Sequence, residues 1–163
     1  MKKEFVLQYK DFEEGTIDGL LKKIKSTSGV RLSELKVMDL FDIDPGEGVY
    51  IFIDSKNKLF HIGKVSSMSF VERIPHHFDI RKGAWMNRLL KIICEKHWNV
   101  EINDKNLYKA AKFAFAELKL ILINFNNREK IERIERLLRS TGEPLNRFKS
   151  FKLKDATIKL KDY

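Results

Sequence analysis

Five side chains, taken in chain order, have the types needed for acid–base and charge-stabilising chemistry: Tyr50, His61, Arg73, His77 and Glu135. A phenol and two imidazoles can hold or pass a proton, a guanidinium can stabilise developing negative charge, and a carboxylate can take a cation. Tyr50 and His61 flank a polar turn, eleven residues apart. In an antiparallel hairpin they share a face only if the loop holds an even number of residues, for example Ser55-Lys56 alone; an odd loop puts the rings on opposite faces. Arg73 and His77 are four apart, one helical turn, and share a face if the helix survives Pro75; His76 can exchange roles with His77. In the segment around 126–139, Ile131, Ile134, Leu137 and Leu138 form an apolar stripe. At about 100° per residue, Glu135 falls at its margin, nearer the core than Glu129 or Glu132. A carboxylate there either pairs with a cation or binds a metal.

The elements that must position these groups can be read from hydrophobic period and turn chemistry. Residues 48–64 read as two short β-branched and aromatic strands joined by a polar turn and bracketed by Gly48 and Gly63. Ser66 or Ser67 is a candidate cap for a helix carrying Phe70, Val71 and Arg73, which Pro75 should shorten or kink. Trp85 to His97 reads as a helix with Trp85, Leu89, Ile92 and Ile93 on one face, and a smaller helix begins after Asp104. The run from Phe113 to Phe125 suggests a buried strand, with a continuing helix from 105 competing up to about Ala116. The last helix starts at Asn126 or Asn127, reaches about Arg139, and stops at Gly142 and Pro144. Upstream, Thr16 caps an amphipathic helix with Ile17, Leu20, Leu21 and Ile24 on one side.

The fold class expected is α+β, an α/β sandwich. Its small central antiparallel sheet has about three strands, built on the 48–64 hairpin and a 118–125 strand, with helices flanking it. The domain organisation is a helical N-terminal extension at 1–45 in possible contact with DNA, a core at 46–147, and a lysine-rich tail at 148–163 that includes Lys149, Lys152, Lys154, Lys159 and Lys161.

The chain has 163 residues, 43% hydrophobic and 34% charged, which suits one globular core. Its formal net charge of +9 favours a polyanionic partner, and nucleic acid is the expected one. Cys94 stands alone in an apolar helical pattern and reads as a small core residue, so no disulfide framework is available within the chain. The start has no apolar run typical of a secretory signal, and the longest apolar stretch is too short to span a membrane. A cytoplasmic location is expected. No glycine-rich phosphate loop is present and the four histidines lack zinc-site spacing, so no small-molecule organic cofactor is expected.

The ordered set Gly48-Val49-Tyr50, His61-Ile62-Gly63, Lys64, Arg73, His77, Glu135 and Pro144-Leu145-Asn146 resembles the GIY-YIG nuclease family over roughly 46–147. The resemblance implies a DNA endonuclease that hydrolyses phosphodiester bonds with one divalent cation, Mg²⁺ or Mn²⁺, held by Glu135. It further implies that Tyr50 activates or positions water, with Lys64 or His61 lowering its pKa or sharing the task. Arg73 would stabilise the phosphoryl charge, His77 would orient water or contact phosphate, and Gly48, Gly63 and Asn146 would support the site. The sequence departs from the family pattern in three places. His61 replaces the usual second tyrosine, Asn146 follows Glu135 by one residue fewer than is common, and the stretch between His77 and Glu135 is long. Glu117 is the rival acid, but it precedes the strand. The alternative function is a non-cleaving nucleic-acid-binding or assembly protein that keeps the fold.

Overall fold

The computed structural model describes residues 3–147, 157 and 159–162. Lys149, Lys152 and Lys154 of the lysine-rich tail lie outside the described residues. The sheet is built from β1 (Val6–Gln8), β2 (Val30–Arg31), β3 (Gly48–Ile53), β4 (Leu59–Val65) and β5 (Lys119–Asn124). Its order is β1-β5-β3-β4, with β2 also pairing β5. The expected trio is therefore part of it, β3 between β5 and the edge strand β4, both antiparallel to β3. The sheet is larger than three strands, and it is mixed, because β1 runs parallel to β5. β1 and β2 have only three and two residues, too short to carry an alternating pattern.

β3 and β5 are buried on both faces and read as continuous apolar runs for that reason. One face, through Val49, Ile51, Ile53, Ile62, Ile121 and Ile123, packs on α1 (Ile17–Ser26) and α6 (Arg128–Arg139). The other, through Tyr50, Phe52, Phe60, Leu120 and Leu122, packs on three more helices. These are α3 (Phe70–His76), α4 (Arg88–Ile92) and α5 (Asp104–Glu117); a short α2 (Val37–Phe41) lies beside α3. Layers of helix on both sides of a sheet make the class α+β. The first 45 residues contribute β1, β2 and α1 to this same sheet and core. Near the other end, Leu160 is buried in the core beside α1, and Lys161 pairs with Glu14 at 2.5 Å.

Capping explains the helix limits. The Thr16 hydroxyl accepts from Gly19 N at 3.1 Å, as its position suggests. The cap of α3 is Ser69, not Ser66 or Ser67. It forms a reciprocal capping box with Glu72, and Pro75 falls in the last turn. Asn127 caps α6 by accepting from Lys130 N. Two helix expectations change. Phe113 and Phe115 belong to α5, which continues to Glu117 as the competing reading had it, so the strand starts only at Lys119. The helix expected from Trp85 starts at Arg88. It then widens into a π-helical stretch, Ile93–Trp98, that ends on Asn99 in the left-handed region. Cys94 is buried there, as a core residue should be. No helix of the described residues is long and apolar enough to cross a membrane.

Candidate active site at the open edge of the sheet

The hairpin places the first two groups. Its turn, 54–58, has five residues, an odd number that alone would set Tyr50 and His61 on opposite faces. The register instead shifts between Phe52 and Ile53: Ile53 pairs with Leu59, but Phe52 pairs with His61. Phe60 is the extra residue, a β-bulge that restores the even register. Tyr50 then pairs with Gly63, and the Tyr50 and His61 rings lie on one face with centroids 6.2 Å apart.

The two bracketing glycines have steric reasons. A Cβ at Gly63 would stand 2.1 Å from the Tyr50 hydroxyl, so the phenol lies directly over that backbone. Gly48 has φ +135°, and a Cβ there would meet Ile123 O at 1.9 Å. Gly48 thus lets β3 enter against β5, and Gly63 makes room for the site.

His77, at the end of α3, is fully buried and does not line the cleft. Leu89 N donates to its Nδ1 at 3.3 Å. That nitrogen must carry a lone pair, so Nε2 carries the proton and donates to Tyr50 Oη at 2.9 Å. Tyr50 in turn must direct its own proton elsewhere. Burial pushes the Tyr50 phenol up to about 12, against the opposing pull of the Arg73 guanidinium, and keeps it neutral. Burial, then the nearby His61 and Arg73, hold His77 well below the ordinary histidine range. His61 is pushed down to about 3 by burial and then by Arg73 and Arg139, and its Nδ1 has no hydrogen-bond partner among the described residues.

The remaining groups arrive from both sides because β4 is an edge strand: helices on opposite faces can reach around it. Arg73 comes from α3, its guanidinium 5.7 Å from the Tyr50 ring centroid and donating to Met86 O at 3.2 Å. Glu135 comes from α6 on the opposite face, buried at the stripe margin, where Arg139 Nη1 donates to its Oε1 at 2.8 Å. Asn146 secures the edge. Its Oδ1 accepts from Ile62 N at 3.1 Å and its Nδ2 donates to Ile62 O at 2.5 Å, while Leu145 N donates to Phe60 O. These bonds cap β4 as another strand would.

Tyr50, His61, Gly63, Lys64, Arg73, Glu135 and Asn146 together line one cleft of about 460 Å³. Lys64 is held by Glu132 of α6 at 2.8 Å. Arg88, Lys91, Lys96, Arg139 and Arg147 also line the cleft, against the single further acid Glu95. The sequence alone assigns no role to these five. Arg139 carries a signal, since it stands four residues beyond Glu135 on the same helix; Arg88 and Lys91 are brought in by α4, Lys96 by the π-helical turn and Arg147 by the segment after α6.

A group of three or more His, Cys, Asp or Glu side chains suited to a metal ion does not occur among the described residues. A cation here would have to be of the single-carboxylate kind, with Glu135 as the protein's oxygen donor and water or phosphate as the others. A scan of protein-family models finds none that matches the chain, and searches of the curated proteins and of the solved structures find no match either.

Proposed function

We propose that the protein is a divalent-metal-dependent DNA endonuclease that hydrolyses phosphodiester bonds in the cleft at the β4 edge, by a single-metal site of the GIY-YIG type. The observation that carries this reading is the convergence of Tyr50, His61, Arg73 and Glu135, from two strands and two opposed helices, on one strongly basic cleft. Glu135 would hold Mg²⁺ or Mn²⁺, which when bound supplies Lewis-acid polarisation of the phosphate.

The chain's own residues have separate tasks. Arg73 and the other cleft cations attract the DNA backbone and stabilise charge on the phosphoryl oxygens. Tyr50 stays a neutral phenol, because His77 donates to its oxygen and cannot accept its proton. It therefore positions water or phosphate by donating a hydrogen bond, rather than by removing a proton. His61, neutral at pH 7, has the imidazole lone pair able to take a proton from water. After burial, the charges of Arg73, Arg139, Arg88 and Lys96 hold its pKa down, and a bound phosphate would offset them. His77 acts through Tyr50. Asn146 and the two glycines hold the backbone in place.

One observation favours the second reading, a nucleic-acid-binding or assembly protein without cleavage. The carboxylate assigned to the metal is already engaged by Arg139. Plasmid incubated with Mg²⁺ or Mn²⁺ separates the two. Nicking that depends on the metal and falls about 100-fold or more in Glu135→Ala and Arg73→Ala supports the enzyme. Binding without nicking across several DNA forms and metals supports the alternative, and full activity in Glu135→Ala rejects the metal assignment.

A further inference from the structure

Trp85 is 78% exposed. It belongs to the segment 77–87 that joins α3 to α4, and no aromatic ring packs on it among the described residues. An indole exposed in both the folded and unfolded states adds nothing to folding, so its large aromatic face is free to meet a ligand. The segment that carries it is tied down. Asn87 Nδ2 donates to Asp79 O at 2.7 Å and to Arg81 O at 3.1 Å, and Lys82 N donates to Asp104 Oδ1 at 2.8 Å.

The two carbonyls on either side of the indole are held by cleft cations. Lys91 Nζ donates to Ala84 O at 2.5 Å and Arg73 Nη1 donates to Met86 O at 3.2 Å. Arg88, exposed at the start of α4, also lines the cleft. An exposed indole on a backbone held by cleft cations has the two parts of a single-strand binding surface, charge for the nucleic-acid backbone and a ring for a base. A base inside a continuous duplex has both faces covered by its neighbours, so only an unpaired base can meet the indole face to face.

We propose that Trp85 is a stacking platform for an unpaired nucleobase of DNA held in the adjacent cleft, and that the protein prefers duplexes interrupted by unpaired bases to continuous duplex. This rests on the cleft being a DNA-binding site. Fluorescence anisotropy with a labelled continuous duplex, and with the same duplex carrying a short single-stranded gap, tests it in EDTA, where nothing is cut. The wild-type protein should bind the gapped DNA several-fold more tightly. Trp85→Ala should lose about tenfold on the gapped DNA, the scale of one base–aromatic stack, and stay within about twofold on the continuous duplex. Trp85→Phe should keep most of the preference. In a Trp98→Phe background, where Trp85 is the remaining indole, gapped DNA should quench its emission. If the wild-type protein binds neither DNA, the cleft reading falls and the proposal with it. If it binds both and Trp85→Ala is unchanged, or weakens on both alike, the proposal alone is overturned.

Discussion

His61 and His77 stand with ring centroids 5.3 Å apart in the site, and both are held neutral chiefly by burial. Their folded pKa values lie below the unfolded ones, so on acidification the unfolded state takes up protons that the folded state does not, and stability falls with pH below about 6.5. For His61, displaced to about 3, the loss between pH 7 and pH 5 is about 2 kcal/mol. His61→Phe removes this titration together with the unpartnered Nδ1. Its urea midpoint should match or exceed that of the wild type at pH 7 and should decline less at pH 5; an unchanged pH dependence would mean that His61 titrates normally. Gly63→Ala must push the Tyr50 ring aside and should cost about 1–3 kcal/mol, with any nicking activity lost beyond what stability explains. At this scale the sequence spoke clearly of Glu135, because a helical stripe defines its own margin. It was silent on the His77–Tyr50 bond, which needs two elements to meet.

Among the elements, the hairpin and α6 were legible because each has a strong period and its own punctuation. Phe113 and Phe115 misled because aromatic residues two apart imitate a strand, while the three buried alanines of α5, which pack on the sheet, carry little apolar weight. Trp85 misled in the opposite sense, since its spacing to Leu89 suits a buried helix face while the residue stands in solvent. The clamp of Asn146 on β4 had no signal in the sequence, because its partner Ile62 stands 84 residues away. Asn146→Ala frees both polar groups of Ile62 and should destabilise by about 1–2 kcal/mol. Amide exchange at Ile62 should quicken more than at Ile51, whose strand stays paired on both sides. Equal acceleration at the two sites would show that Asn146 acts on global stability instead.

For the whole molecule, the net charge of +9 is partly gathered in one place. Seven cations line the cleft against two acids, and two of the seven, Lys64 and Arg139, are tied to carboxylates. The other five, Arg73, Arg88, Lys91, Lys96 and Arg147, can meet phosphates. Duplex affinity should therefore fall with salt on a log–log slope of about −4 to −5. Lys91→Ala should flatten that slope by about 1; an unchanged slope would place the DNA on another surface. Net charge pointed to a polyanion, but the cleft itself was hidden, because its walls come from segments as far apart as Tyr50 and Arg147.

The bulge at Phe60 separates the length of the hairpin tip from the aim of the site. A chain lacking Phe60 would keep the five-residue turn and still set Phe52 opposite His61, losing the packing of Phe60 against His97 and Phe113. Residues 54–58 can likewise be lengthened outward without altering the pairing behind them. The tip is thus a natural place to insert a fluorophore tag or an affinity epitope while the cleft behind it keeps its shape.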